Sequence, residues 1–218
     1  NTSSADTPNL ECTITDAMLG INETVILPSG TSYIINDTYT VPVGAPDPLV
    51  NTAQVTCSPT GFPNVYNAND SHSMNLFYPS ITFDKTGDAL SKIGDDVDYT
   101  ITLNNTSSTD TPDLECTITD AMLGINETVI LTSGTSHVIN DTYTVPAGAL
   151  DPMVNTAQAS CSPIGFPNTL TNSDSHSVNL FQLSIIFDKT GSPLSKLGDP
   201  VTYTITLSTT SSGDAPNL

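Results

Sequence analysis

Apolar and polar residues alternate along short stretches of this chain, and such a two-residue period is typical of β-strands. Four stretches between residues 81 and 184 place alternate residues on one face: Ile81, Phe83 and Lys85; Val97, Tyr99, Ile101 and Leu103; Leu114, Cys116, Ile118 and Asp120; and Met153, Asn155, Ala157, Ala159 and Cys161. Shorter strands are predicted around Val129, Val138, Tyr143 and Val178. Helical periodicity is nearly absent. The pattern therefore predicts an all-β fold with short strands, an immunoglobulin-like β-sandwich.

The sequence repeats itself with a period of 104 residues and no gap. Residues 1–80 match residues 105–184, and residues 81–114 match residues 185–218. One period is long enough to bury a core of its own, so we expect tandem domains. The predicted boundaries are a partial repeat at 1–80, a complete β-sandwich at 81–184, and the first two strands of the next repeat at 185–218. Because the last ten residues resemble the first ten, we expect a segment of a longer array.

The two strands within residues 81–104 could pack either on the residues that follow them or on residues 1–80. Short local connections are the rule, so we expect these strands to pack on the sequence that follows them. Phe83 would then contact Ile118 and Ala157. In the alternative, the strands are donated to residues 1–80, where Phe83 would contact Ile14 and Val55, since an open sheet edge accepts a further strand.

The chain is strongly acidic, with 23 Asp and Glu residues against 4 Lys and Arg residues and a net charge of −19. This charge excludes nucleic-acid binding by the usual electrostatic route and disfavours anionic membranes. We expect no membrane insertion in this segment. Acidic side chains would keep an exposed polymer soluble. Calcium at Asp95, Asp96 and Asp98 is the alternative, but these residues lack an EF-hand-like pattern. We therefore expect no metal site and no cofactor.

Each repeat contains two cysteines 45 residues apart, Cys12 with Cys57 and Cys116 with Cys161. The sequence has no Cys-x-x-Cys motif, so disulfides are favoured over zinc, with buried free thiols as the alternative. A disulfide closing a loop of this size would stabilise a domain by roughly 4 kcal/mol on the chain-entropy model. Disulfides also point to an oxidising compartment, so we expect an extracellular or cell-surface location.

Asn-x-Ser/Thr sequons recur at equivalent positions of the two repeats, which makes them candidates for N-glycosylation. The persistent pairs are Asn22 with Asn126 and Asn36 with Asn140. We therefore expect an extracellular polymer that carries glycans at these asparagines.

Three segments resemble a known family. They are Gly94-Asp95-Asp96-Val97-Asp98-Tyr99-Thr100-Ile101-Thr102-Leu103-Asn104-Asn105-Thr106, Cys116-Thr117-Ile118-Thr119-Asp120, and Val154-Asn155-Thr156-Ala157. They are similar to the repeat of prokaryotic surface proteins called domain of unknown function 11, and to the related isopeptide-forming domains of Gram-positive pilins and adhesins. The Leu-Pro-x-Gly that follows the aspartate in that family is replaced by Ala121-Met122-Leu123-Gly124.

A lysine, an aspartate and an asparagine share the inward phase of their strands: Lys85, Asp120 and Asn155. Burial of unpaired charge costs several kcal/mol, so such groups must be neutralised, paired or consumed. In the pilin domains that the sequence resembles, a first-strand lysine, an aspartate and a late asparagine act in this order to form an isopeptide bond. The alternative is a buried Lys–Asp salt bridge with Asn155 bonded to a turn. The equivalent residues in the other copies are Asp16, Asn51 and Lys189.

We therefore predict a structural repeat unit of an extracellular filament, stalk or sheath. Its partners would be other copies of the same repeat or chain. The second hypothesis is a ligand-binding adhesin module, for which exposed aromatic residues should cluster in both copies. Tyr33, Tyr66 and Tyr78 are however replaced by His137, Leu170 and Gln182. No candidate catalytic set recurs, so an enzyme is not expected.

Overall fold

The computed structural model describes residues 1–216, and every regular element in that range is a β-strand. The predicted all-β fold is thus confirmed. The described residues contain no helix with the length and apolarity needed to cross a bilayer. The chain forms two compact units, which we call unit 1 (Asn1–Leu76) and unit 2 (Phe77–Leu218).

Unit 1 contains one four-stranded antiparallel sheet with the strand order β2-β1-β3-β4. Its strands are β1 (Leu10–Asp16), β2 (Ile21–Leu27), β3 (Leu49–Pro59) and β4 (Tyr66–Met74). The register pairs Cys12 with Cys57 and Ile14 with Val55, so apolar residues of β1 and β3 share one face. That face is incompletely covered, because Ile14 and Val55 are half-buried and Ala53 is exposed.

Unit 2 contains two packed sheets and a separate hairpin. The strands are β5 (Ile81–Gly87), β6 (Leu90–Ser91), β7 (Asp96–Asn105), β8 (Leu114–Asp120), β9 (Ile125–Leu131), β10 (Ser136–Thr144), β11 (Met153–Pro163), β12 (Leu170–Leu180), β13 (Ile185–Gly191) and β14 (Tyr203–Thr209). One sheet has the order β10-β7-β5 and the other β6-β12-β11-β8-β9. Within residues 77–216, all strand pairs are antiparallel except β12 with β6, and β13 pairs only with β14.

The core of unit 2 lies between these two sheets, which makes it a β-sandwich. Phe83, Ile101 and Leu103 of the smaller sheet share a buried cluster with residues of the larger sheet, among them Ile118 and Ala157. The predicted alternation is the cause, since every second residue of β7, β8 and β11 is buried. Strands β5 and β7 thereby cover the sheet that follows them in the sequence.

One repeated segment adopts different structures in the two units. Residues 136–144 form β10, which pairs along its length with β7. The equivalent residues 32–40 differ at two positions, His137 for Tyr33 and Val138 for Ile34, yet they are irregular and mostly exposed. The difference follows from pairing, because no strand of unit 1 takes the place of β7.

Candidate functional site

Lys85 lies on β5 with its side chain fully buried. It points inward because it shares the strand face of Phe83, as the alternation predicted. Its amine Nζ lies 2.6 Å from Oδ2 of Asp120, whose side chain is also fully buried. The contact joins the two sheets of the sandwich, since β5 belongs to one sheet and β8 to the other.

The carboxylate of Asp120 is held from both sides. Its Oδ1 accepts hydrogen bonds from the backbone N–H groups of Met122 and Leu123, each at 3.0 Å. These bonds form because Asp120 ends β8 and the chain turns there toward β9. Its Oδ2 accepts hydrogen bonds from Lys85 and from Nδ2 of Asn155, the latter at 3.1 Å. Oδ2 of Asp120 therefore accepts hydrogen bonds from both the amine of Lys85 and the amide of Asn155.

Asn155 reaches this oxygen from β11, and it is 2% exposed. Strand β11 pairs with β8 so that Ala157 lies opposite Asp120, which places Asn155 just beyond the end of β8. The structure thus brings the three predicted residues, Lys85, Asp120 and Asn155, together in one buried cluster. We call these three residues the core trio.

Tyr99 forms one wall of the core trio. Its ring centroid lies 4.5 Å from the amine of Lys85, a distance at which an ammonium is attracted to the aromatic face. Gly87 allows the ring to lie close to β5, because a Cβ there would be 2.9 Å from the ring of Tyr99. The Tyr99 hydroxyl is buried and has no hydrogen-bond partner among residues 1–216.

Burial raises the pKa of the Tyr99 phenol above its usual value, and the negative charges near it, beginning with Asp120, act in the same direction. An unfolded tyrosine ionises near pH 10. Above that pH the unfolded chain loses the proton first, so unit 2 loses stability as the pH rises toward the folded pKa.

We expect Tyr99→Phe to reduce this alkaline destabilisation. At neutral pH the substitution should be neutral or stabilise by up to about 1 kcal/mol, since it removes an unpaired hydroxyl from the core. Urea denaturation of both proteins at neutral pH and above pH 10 measures the effect. An equally steep alkaline loss in both proteins would assign it to other groups.

Two residues of β12 also contact Lys85 or Tyr99, and neither was among the predicted site residues. Asp174 accepts a hydrogen bond from the backbone N–H of Lys85 through Oδ2 at 2.7 Å. The ring of His176 packs edge-on against Tyr99 with 6.0 Å between centroids. Both residues are in phase with buried Val178, and that alternation was the available signal.

The equivalent residues of the other copies are not brought together as a trio. In unit 1, Asn51 donates a hydrogen bond to Oδ2 of Asp16 at 2.7 Å, and the backbone N–H groups of Met18 and Leu19 donate to Oδ1. Unit 1 contains no lysine. Lys189 belongs to β13, where its amine lies 4.6 Å from the ring centroid of Tyr203.

Both predicted disulfides are present, Cys12–Cys57 and Cys116–Cys161, and the described residues contain no free cysteine. Each disulfide joins register partners on neighbouring strands of one sheet, β1 with β3 and β8 with β11. The bonds thus reinforce strand pairing within a sheet and leave the two sheets of unit 2 joined by non-covalent packing and by the contacts of the core trio.

The candidate glycosylation residues Asn22, Asn36, Asn126 and Asn140 are all exposed, so a glycan would meet no core packing there. Of the candidate calcium ligands, Asp96 and Asp98 accept hydrogen bonds from the hydroxyls of Thr144 and Thr142. Residues 1–216 contain no group of three His, Cys, Asp or Glu residues arranged to hold a metal ion.

No family model matches the chain, and no curated protein matches it. The likeness to domain of unknown function 11 therefore remains a hypothesis. Among solved structures, the chain is similar to the CARDB domain of the PF1109 protein from Pyrococcus furiosus, which was solved in complex with di-metal ions. The TM-score is 0.33 and the identity 15%, over 47% of this chain and 94% of that one.

Proposed function

We propose that the chain is a structural repeat unit of an extracellular filament, stalk or sheath, in which each domain resists tension and proteolysis. The observation that carries this proposal is the core trio, because it places an amine and an amide at one carboxylate between two sheets. A covalent bond there would join the sheets. The disulfides and the acidic composition support an exterior location.

The trio can form an isopeptide bond without a cofactor. Asp120 takes a proton from the ammonium of Lys85, and the neutral amine attacks the side-chain amide carbon of Asn155. A bond forms between Nζ of Lys85 and Cγ of Asn155. The bond from Cγ to Nδ2 breaks, and the leaving nitrogen receives both the proton held by Asp120 and the second proton that Nζ sheds on becoming an amide. The nitrogen departs as ammonium and Asp120 is again a carboxylate, so protons and charge balance and no oxidant or reductant is required.

We expect the intact protein to weigh one ammonia less than its disulfide-bonded sequence. Digestion should yield a branched peptide that joins Lys85 to Asn155. Asn155→Ala removes the reacting carbonyl and should restore the unmodified mass. Asn51→Ala at the equivalent position of unit 1, which has no lysine partner, serves as the matched control and should leave the mass loss unchanged. An unmodified wild-type mass would show that the trio is a buried ion pair alone.

An adhesin module is the second candidate, and one surface of unit 1 favours it. Phe62 and Tyr66 are both exposed and line one groove together with Asn64 and Asp6. Aromatic faces beside polar groups are suited to binding a sugar. The equivalent of Tyr66 is Leu170, so the feature is confined to one copy.

Antibody labelling of the cells that make the protein separates the two candidates. The structural role predicts label at regular intervals along extended fibres or sheaths. Label confined to fibre tips, together with glycan binding that Tyr66→Ala abolishes, would favour the adhesin.

A further inference from the structure

Strand β12 closes the edge of the sandwich at which Lys85 lies. Strand β5 is an edge strand of the smaller sheet, so alternate backbone N–H groups of β5 point away from β7. The N–H of Lys85 is one of these, and it donates to Oδ2 of Asp174 at 2.7 Å. Buried backbone donors require partners, and Lys85 is 3% exposed. Asp174 therefore completes a hydrogen bond that β7 cannot provide.

The carboxylates of Asp120 and Asp174 hold the two ends of Lys85. The strand registers place Asp120, Ala157 and Asp174 in one row across β8, β11 and β12. Because neighbouring strands lie about 4.8 Å apart, the Cα atoms of the two aspartates are about 10 Å apart. Asp174 bonds the backbone of Lys85, and Asp120 bonds its amine. The approach of the amine to Asn155 therefore depends on where Asp174 holds the backbone of β5.

Strand β12 and the residue after it also hold the chain that follows β5. The three contacts are Nε2 of His176 with the carbonyl oxygen of Asp88, the N–H of Asn179 with the carbonyl of Ala89, and the N–H of Phe181 with the carbonyl of Ser91, each at 3.0 Å. The first strand of the predicted repeat is thus fixed by its last strand. Lys85 and Asp174 are 89 residues apart in the sequence, so this contact forms only when nearly the whole repeat is present.

We propose that Asp174 is a positioning residue for the bond between Lys85 and Asn155, and that it makes crosslinking conditional on the docking of β12. The inference rests on the crosslink proposed above. Asp120 and Asn155 belong to β8 and β11, so all three members of the core trio precede β12 in the chain. The Asp174 contact thus delays the covalent bond until the last strand is in place. An incompletely folded repeat is thereby kept from being locked.

The expected effect is on the rate of the reaction. The amine must come within about 3–3.5 Å of the amide carbon of Asn155, and a misplacement of about 1 Å can slow such a reaction about 100-fold. Asp174 acts through the backbone of Lys85, so it fixes the start of the side chain that must reach this carbon. Loss of the Asp174 bond leaves the reacting groups intact and loosens their alignment.

The rate at which newly made protein loses one ammonia tests the proposal. The full chain is synthesised in a cell-free reaction under oxidising conditions, and intact-mass spectrometry follows the crosslinked fraction over time. We expect Asp174→Ala to slow the loss at least about 10-fold. Asp70→Ala, at the equivalent position of unit 1, is the matched control and should leave the rate unchanged.

Two conservative variants separate position from charge. Asp174→Asn loses the charge but keeps an oxygen that can accept the N–H of Lys85, so it should retain most of the wild-type rate. Asp174→Glu keeps the charge but moves the carboxylate by one methylene, so it should slow the loss of ammonia. An Asp174→Asn protein as slow as Asp174→Ala would overturn the positioning role, since charge would then be the cause.

Val178→Ala separates positioning from a general loss of stability. Val178 is fully buried on the same strand, so its truncation weakens the packing of β12 and keeps the Asp174 bond. Urea denaturation identifies conditions in which this variant and Asp174→Ala are both folded, and there Val178→Ala should crosslink at the wild-type rate. Equal slowing of the two variants would overturn the proposal.

The outcomes distinguish this inference from the crosslink itself. Equal rates of ammonia loss in Asp174→Ala and the wild-type protein would overturn the role of Asp174 and leave the crosslink established. A wild-type protein that never loses ammonia would refute the crosslink, and this inference with it.

Discussion

Replacing Lys85 with methionine is expected to destabilise unit 2 by about 3–5 kcal/mol, because the substitution leaves the carboxylate of Asp120 buried and without its cationic partner. Methionine retains the length of the side chain, so little packing is lost. Any isopeptide bond would be lost as well and would add to the effect. Hydrogen exchange in increasing denaturant measures the stability of unit 2 separately from that of unit 1.

The chain provides a matched control for this substitution. Lys189→Met makes the same change in the equivalent residue of an exposed hairpin, and it should leave the sandwich of unit 2 unchanged. The double variant Lys85→Met with Asp120→Asn should recover part of the loss, since it removes the uncompensated charge. Equal stability of Lys85→Met and the wild-type protein would show that the trio contributes nothing to the fold.

Removing a disulfide should cost the unit that contains it roughly 4 kcal/mol on the chain-entropy model. Replacing Cys116 and Cys161 together with alanine should destabilise unit 2 and leave unit 1 unaffected. Replacing Cys12 and Cys57 should have the converse effect. Exchange protection of the two units, compared in the two double variants, checks both statements. A loss spread over both units would contradict the independence of the two cores.

Alternation in the sequence was sufficient to predict which way the core residues point. Residues Lys85, Asp120 and Asn155 face inward because each is in phase with buried apolar neighbours on its strand. The pairing of the cysteines followed from their spacing and number. The inward direction of these residues depends only on the two-residue period of a strand, which is a local property of the sequence.

The contacts within the site depend on register and could not be read from the sequence. That Lys85 and Asn155 bond the same oxygen of Asp120 follows from how β8 and β11 are aligned and how the sheets are stacked. The contact of Asp174 with Lys85 joins strands that are far apart in the sequence. Residues 32–40 and 136–144 also show that local sequence does not decide pairing. The two segments have nearly the same sequence, yet 136–144 form a strand paired with β7 and 32–40, which have no such partner, are irregular.

Stretching single molecules of the chain under non-reducing conditions tests most directly whether unit 2 is built to resist tension. Unfolding one repeat frees chain length of about 3.6 Å per residue that no covalent bond bypasses. The freed length should be roughly 120 Å with both the isopeptide bond and the disulfide, about 210 Å with the disulfide alone, and about 370 Å with neither. The account predicts the short release for the wild-type protein, and for Asn155→Ala a release longer by about 90 Å. If the wild-type protein and Asn155→Ala both extended by the length expected for the disulfide alone, the core would not be crosslinked, and this would contradict the proposed mechanical role.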